Sequence, residues 1–508
     1  MTFASTGARH TSDSAGGRQA DNYLWARWLV LRALGLIFFS AFYSLAFQIH
    51  GLIGEHGILP AGEYLQAVAS AVPRLTKYWY APSVFWFGAG DRALTTVVAA
   101  GIICSLLIVA NVWPRLTIAI ATILYLSCVA TLQDFSSYQS DGMLMEAGFI
   151  AFWFAPRGTW PGLGARDPPS RFSLFMLRWE WFRIYFESGV AKLASGDPHW
   201  RNFTAMDEYY QNGPLPTWVG WYAQHLPHWY HATTVAITLL IELLIVWLLF
   251  APRPLRLACF LVTTMLQIGI ILTANYAFLN YLVLVLGFLL VDDRAAAWLR
   301  VPLPIAAPRP HRLDEWWRWL ETALLAWVLY ATVVIFVAPN AGLLAAPAHA
   351  LDPFRIANPY GLFATMTPAR YEIEFQGSSD GGKTWIAYPY RYKPQNIYER
   401  PGIYAPYQPR FDWNLWFASL APWQASQWVV LAQERLIEGS GSVLALFRAD
   451  PFKGHPPPQV RTVLWQYWFT DLATKRRTGA WWRRQYLGPF AGVLTRAPDG
   501  RFVLGDST

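Results

Sequence analysis

Over the first two thirds of this chain, apolar residues come in long blocks separated by short polar links rich in Arg, Pro and Gly. A bilayer core about 30 Å thick needs roughly 20 apolar residues in a helix. Nine blocks approach that length, at residues 28–49, 93–112, 116–133, 143–156, 172–191, 232–251, 256–274, 276–291 and 316–338. The fourth and eighth are short, and the fifth is interrupted by charge. The pattern predicts an α-helical polytopic membrane bundle of about nine spans over residues 25–339. Residues 1–24 are small and polar and lack the apolar core of a signal peptide, so they read as a disordered tail ahead of an uncleaved anchor.

Beyond residue 340 the pattern changes. Tyr371-Glu372-Ile373-Glu374-Phe375 alternates with period two, as a half-buried strand does. Residues 460–470 alternate again and predict a long strand. Ser378-x-Asp380-x-Gly382-x-Thr384-Trp385 fits the hairpin known as an Asp box. There Asp380 caps the turn, the glycines supply positive φ, and Trp385 packs beneath. Residues 413–447 read as helical and aromatic. The expected architecture for residues 340–508 is a mainly β extracytoplasmic domain with a helical insert.

Composition sharpens this picture. The chain is 54% hydrophobic and 14% charged, against about 25% charged in soluble domains. A soluble enzyme and a disordered chain are both excluded. The net charge of +8 divides into +2 over residues 1–339 and +6 over residues 340–508. No dense basic run interleaves with aromatics, which excludes nucleic acid as a partner; a basic C-terminal region suits membrane lipids. Cys104, Cys128 and Cys259 all fall within apolar blocks, so neither a disulfide scaffold nor a CxxC site is expected.

The positive-inside rule sets the orientation. With the N-terminus in the cytoplasm, inside segments carry 13 Lys/Arg, from Arg9 and Arg18 to Arg309 and Arg312, and outside loops carry five. Nine spans then place the C-terminal domain in the periplasm or lumen. The Ala- and Arg-rich composition reads as bacterial, which makes the membrane the bacterial inner membrane; in a eukaryote it is that of the endoplasmic reticulum.

Charge inside a membrane is costly, about 2.5–3.5 kcal/mol per residue by insertion scales. The fifth block holds Arg178, Glu180, Arg183 and Glu187, with Lys192 just beyond. Glu180 and Arg183 stand three apart and Arg183 and Glu187 four apart, so pairing along the helix is expected. Two readings stand. One is a buried ion-pair ladder that fixes packing; the other is an intramembrane cavity with a tuned lysine. Arg32 and Glu242 are lone charges in other blocks, available to pair with the fifth. Asp141 and Glu146 flank the start of the fourth block, as helix-capping anions or at a cavity mouth. His225, His228 and His231 recur at spacing three, but Pro227 interrupts them and no Cys or carboxylate joins; with Trp229 and Tyr230 they read as an interface belt rather than a metal site. Trp413, Trp416, Phe417, Trp423, Trp428, Trp465, Trp468, Trp481 and Trp482 crowd the C-terminal region, either as a client-binding surface or as its core. Arg483 and Arg484 stand beside the last tryptophan pair, to bind lipid headgroups or to cap an interdomain seam.

A set of short stretches resembles the lipase maturation factor family. They include Gly51-Leu52-Ile53-Gly54, Gln139-Ser140-Asp141-Gly142 leading to Glu146-Ala147-Gly148-Phe149, Ser188-Gly189-Val190-Ala191-Lys192 through Asp197-Pro198-x-Trp200, Asn358-x-Tyr360-Gly361-Leu362-Phe363, Tyr392-Lys393-Pro394, Pro409-Arg410-x-Asp412-Trp413, and Trp481-Trp482-Arg483-Arg484. The resemblance covers most of residues 25–490. It implies an endoplasmic-reticulum-type membrane protein that helps secreted lipases fold and assemble, with its conserved domain on the secretory side. A fainter resemblance joins Tyr185-Phe186-x-Ser188-Gly189-Val190-Ala191-Lys192-Leu193 to the stretch around the catalytic lysine of the vitamin K-dependent γ-carboxylase. It implies a base at Lys192. The loop before the fourth block holds Tyr138-Gln139-Ser140-Asp141 and no His, a departure from what carboxylase chemistry asks of that loop.

The expected function is therefore a non-enzymatic membrane assembly factor without a cofactor, holding a secreted lipase or another exported hydrolase as client. The alternative is an intramembrane enzyme using Lys192 as base on a lipid-soluble cofactor. A transporter is disfavoured, because no inverted repeat or matched pair of broken spans is visible.

Overall fold

The computed structural model describes residues 23–136, 138–296 and 314–505. Residues 1–22 of the predicted N-terminal tail and the inside charges Arg9, Arg18, Arg300, Arg309 and Arg312 lie outside them; Leu24, assigned to the tail, instead opens the first helix.

Among the described residues, helices stand at all nine predicted positions. They are α1 (Leu24–Ala46), α2 (Asp91–Val109), α3 (Pro114–Val129), α4 (Gln139–Phe154), α5 (Arg171–Ala194), α6 (His228–Leu243, continued by a tighter turn over Ile245–Phe250), α7 (Arg253–Thr273), α8 (Leu279–Gly287, continued over Phe288–Leu290) and α9 (Asp314–Val337). Five of these, α1, α2, α6, α7 and α9, are long and apolar enough to cross a membrane, not nine. α3 and α8 are apolar but short. α4 has 16 residues and contains Asp141 and Glu146; α5 carries six charged residues in 24. Local chemistry sets several helix starts. Pro114 opens α3, where its missing N–H costs nothing. Ser170 caps α5 by accepting a hydrogen bond from the Ser173 N–H.

α1 packs along α2 and α8, while α5 packs against α4, α6, α8 and α9. Phe38, Phe42 and Tyr125 join α1 to α3, with ring centroids 5.4–6.5 Å apart. Cys104, Cys128 and Cys259 are buried free thiols.

The C-terminal part contains one antiparallel five-stranded sheet in the order β2-β1-β3-β4-β5. β1 is Arg370–Ser378, β2 Ile386–Ala387, β3 Gln459–Phe469, β4 Trp482–Arg496 and β5 Phe502–Leu504. The two predicted strands are β1 and β3, paired in register from Arg370↔Tyr467 to Ser378↔Gln459. The Asp-box turn joins β1 to β2. Asp380 Oδ1 accepts hydrogen bonds from the Thr384 N–H (2.9 Å) and Ser378 Oγ (2.8 Å), and Gly381 and Gly382 have φ of 75° and 86°. The region is less β than its alternation predicts. α10 (Arg410–Ala418) packs on β1, α11 (Trp428–Ile437) packs on β3 and β4, and irregular chain fills the rest. The polar face of β1 is also covered: Glu372 and Glu374 are buried. Glu372 is paired with Arg370 and with Lys393 at 2.7 Å. Buried side chains form one continuous cluster from α1 to β4, so the two regions share a core.

Candidate functional site

Three charges of α5, Arg183, Glu187 and Lys192, converge on one stretch of chain, residues 355–367, which precedes β1. Arg183 forms an ion pair with Glu146 of α4, lies 3.7 Å from Glu187, and donates from Nη1 to the Asn358 carbonyl at 2.7 Å. Glu146 Oε2 accepts from the Tyr360 hydroxyl at 2.9 Å. Glu187 Oε2 accepts from the Tyr360 N–H at 2.8 Å. Lys192 Nζ donates to the Leu362 carbonyl at 2.9 Å and meets Glu242 of α6 at 2.9 Å. The Leu362 N–H donates to Ser188 Oγ at 3.2 Å. Further along, Trp200 Nε1 donates to the Phe363 carbonyl (3.0 Å), and the Met366 N–H donates to Asp197 Oδ2 (2.5 Å). Gly142 lets this segment approach: a Cβ there would lie 2.7 Å from Asn358 Oδ1. Six polar groups of the helical region thus satisfy the backbone of an irregular segment that has no strand or helix partner of its own. Irregular backbone at membrane depth is tolerated only where protein buries and satisfies it.

A second anchor lies beside the first. Arg410, at the start of α10, makes a two-pronged contact with Asp141 of α4 (both 2.8 Å), and donates to the Tyr125 hydroxyl (2.8 Å) and the Phe135 carbonyl (2.7 Å). Arg410 and Asp141 are both wholly buried. Two residues on, Asp412 points the other way and accepts from the Tyr392 and Lys393 N–H groups, each at 3.2 Å. Burial pushes the Asp412 carboxyl up to about 6, against the pull of those N–H groups and the Lys393 charge. A third anchor is Arg370, which donates to the carbonyls of Gln211 (3.1 Å), Gly213 and Pro214 (2.9 Å).

Several sequence expectations need correction here. Asp141 and Glu146 do not cap α4; its N-cap is Tyr138, with no side-chain cap bond. Both acids instead hold arginines. Glu180 does not pair with Arg183: it is buried and neither carboxyl oxygen has a partner. Arg178 leaves the ladder to donate to the Leu289 carbonyl at 2.7 and 2.9 Å. Arg32 does not reach α5 either; its Nε donates to the Ile108 carbonyl at 2.8 Å. Glu242 does pair with α5, through Lys192. Trp413, Trp416 and Trp482 are buried rather than presented as a surface. Trp481 packs on Trp221 of the helical region, with centroids 5.2 Å apart. Arg483 and Arg484 lie over Trp468 and Trp465 on the sheet, at 4.6 and 4.1 Å. The histidines do not converge. His225 bonds the Thr470 carbonyl (2.9 Å), His228 meets Asp207 (3.0 Å), and His231 is buried. No cluster among the described residues has the make-up of a metal site.

Sequence reasoning quoted Asn358, Tyr360 and Arg410 as motif residues but gave them no role. A charge tally had the signal: Asp141 and Glu146 are α4's only charges, so their partners had to come from elsewhere.

What this arrangement does chemically is hold. The donors of Lys192 are directed at Glu242, at Leu362 and, at 3.5 Å, at the Ser188 carbonyl, and its side chain is 2% exposed.

Comparison with known proteins follows the same division. The family profile described as the lipase maturation factor transmembrane domain matches residues 25–298. That of the lipase maturation factor C-terminal domain matches residues 356–492. Lipase maturation factor 2 of Gallus gallus is 31% identical over 91% of this chain and 80% of its own length. The Homo sapiens protein of that name is 30% identical over 91% and 82%. Lipase maturation factor 1 of Mus musculus is 28% identical over 95% and 89%. No solved structure matches. With matches to both profiles, and relatives aligned along nearly its whole length, this chain belongs to the lipase maturation factor family.

Proposed function

We propose that this protein is a chaperone-like maturation factor, embedded in a membrane, that promotes folding of a secreted lipase or a related exported hydrolase. Nine helices cross or enter the bilayer, the N-terminus is cytoplasmic, and the C-terminal region faces the periplasm or lumen, where it meets its client. The membrane in question is the bacterial inner membrane. No cofactor takes part.

The observation that carries this reading is the use made of the buried charges. Arg183, Glu146, Glu187 and Lys192 bond residues 358–362, Glu242 holds Lys192, and Asp141 holds Arg410. That argues for a helical base that positions the C-terminal region rather than for chemistry at Lys192. The names of the relatives supply the client class. Complementation tests it. In cells lacking the protein, the full chain is expected to restore secreted lipase activity. Unchanged lipase secretion in the deletion strain would sink the proposal.

A further inference from the structure

On the face of the sheet turned away from α10 lies an open cavity of about 440 Å³, within the range of roughly 300–1,000 Å³ typical of small-molecule sites. Side chains alternate across a strand. Phe375 of β1 stacks on Phe411 of α10, with centroids 6.3 Å apart, so Glu374 and Gln376 turn to the opposite face. There they line the cavity with Trp385, Trp465, Arg484 and, from β2, Ala387, the register partner of Gln376. We propose that this cavity binds a neutral saccharide, with its ring against the indoles and its hydroxyls on the surrounding polar side chains.

Three observations carry this. The first is that exposed donors and acceptors stand side by side. Glu399 and Arg448 line the cavity 2.8 Å apart, with side chains 44% and 48% exposed, and the Arg484 side chain is 31% exposed. A carboxylate only accepts and a guanidinium only donates, whereas a hydroxyl does both. An anionic ligand would meet the carboxylate, and a cationic one the arginines. The charges lining the cavity, Glu374, Glu399, Arg448 and Arg484, cancel.

The second is aromatic. Trp385 and Trp465 line the cavity and are half-buried. An arginine fixes each ring, Arg461 over Trp385 and Arg484 over Trp465, both at 4.1 Å. Indoles offer apolar contact to the C–H groups of a sugar ring, while its hydroxyls point outward to polar neighbours. A hydrocarbon would leave those polar groups unmet, and a simple ion has no use for the rings.

The third is preorganisation. Buried Glu374 is the post to which the polar side chains are tied. It accepts from Gln376 Nε2 (2.7 Å), Gln395 Nε2 (3.1 Å) and Arg484 Nη1 (3.3 Å). Gln395 also donates to the Tyr388 carbonyl at 3.1 Å, and Arg461 Nε donates to Gln376 Oε1 at 2.9 Å. Side chains held before the ligand arrives lower the ordering cost of binding. The proposal does not depend on the client reading, because binding is measured on the protein alone.

The test uses the full chain in nanodiscs, since maltoside detergents would compete. Saturation-transfer NMR is run with maltotriose, mannotriose and tri-N-acetylchitotriose as probes. Transfer to at least one is expected. Ala387→Trp, which adds an indole on the Gln376 face, is expected to weaken binding about tenfold or more. Trp385→Ala gives the same loss if Ala387→Trp does not accumulate. Val503→Trp, exposed on β5 at the far edge of the sheet, leaves binding unchanged. Raising salt from about 0.05 M to about 0.5 M is expected to leave the affinity within about twofold, because the ligand carries no charge to screen. Competition by a secreted lipase that is lost once its sugars are removed identifies a protein-bound glycan as the source, and competition by isolated cell-envelope polysaccharide identifies the envelope; both support the site. Absence of transfer to all three sugars would overturn it, as would transfer unmoved by Ala387→Trp and Trp385→Ala. So would a steep loss of affinity in salt, which would make the ligand an anion held by the arginines, or binding of a sugar-free lipase that Ala387→Trp abolishes while no sugar binds, which would make this a polypeptide pocket.

Discussion

α5 and α7 are of similar length and meet through Tyr185 and Gln267, and both turn polar residues inward, but what those residues meet differs. On α7 the buried positions are Cys259, Thr263 and Gln267, one per turn, while Leu261, Met265, Ile268 and Leu272 are exposed. Gln267 closes a neutral network, donating to the Tyr185 hydroxyl of α5 (2.8 Å) and accepting from Asn280 Nδ2 (2.7 Å). On α5 the inward polar residues include charges, and three of them, Arg183, Glu187 and Lys192, close on the C-terminal region. In a bilayer the apolar face needs no protein partner, so polarity marks the inner surface. The contact between α5 and α7 uses neutral polar groups alone. Where α5 meets the irregular backbone of residues 358–362, Arg183, Glu187 and Lys192 take part, beside the neutral Ser188.

Four expected outcomes test that contrast, from the largest effect to the smallest. Arg410→Ala leaves Asp141 buried without its cation, and removing one member of a buried pair costs about 3–5 kcal/mol. The variant is expected to lose most of its thermal stability in detergent or to fail to accumulate. A variant that melts like wild type would show that the anchor carries little.

The second outcome is a pH dependence on the C-terminal side. The Asp412 carboxyl titrates near 6 in the folded protein, against an ordinary value of 3.8. The folded state therefore holds this proton more tightly than the unfolded state. The stability it contributes is fully present below 3.8 and is lost as pH rises through about 6, on the order of a few kcal/mol at most. Stability measured between pH 4 and 7 is expected to show this fall, and Asp412→Asn to flatten it. An unchanged slope in Asp412→Asn would place the titration elsewhere.

Third, Gln267→Leu in α7 removes two neutral interhelical bonds, each worth about 0.6 kcal/mol on average in membrane proteins and about 1.7 at most. A small drop in melting temperature is expected; a drop as large as that of Arg410→Ala would erase the contrast. The smallest effect is expected at Met265, which is 73% exposed on the outer face. Met265→Ala should leave the melting temperature within error, and a clear loss would mean that this face packs against protein.

Much of this was legible in the sequence, and the remainder was not for a common reason. Helix positions follow from apolar block length, and β1, β3 and the Asp-box turn from short-range alternation and turn chemistry, all local signals. The α5 charges were visible as costly residues. Their partners were not, because helical spacing offers only neighbours three or four positions away. It offered Glu180 to Arg183, whereas the structure supplies Glu146, 37 residues away. Asp141 looked like a capping anion, and its partner Arg410 lies 269 residues away. Glu372 and Glu374 looked solvent-facing because period two reports chemistry, not what later covers the face.

The central claim is that the buried charges of α5 join two regions and do not catalyse. Replacing Lys192 and Glu242 together, as Lys192→Met with Glu242→Met, tests it most directly, because swapping a buried ion pair for apolar residues of similar size is often neutral or stabilising, whereas losing one partner costs about 3–5 kcal/mol. The account predicts that Lys192→Met alone lowers stability and secreted lipase activity together, and that the double variant restores both. A double variant that accumulates and melts like wild type but still fails to support lipase secretion would contradict it and return Lys192 to chemistry.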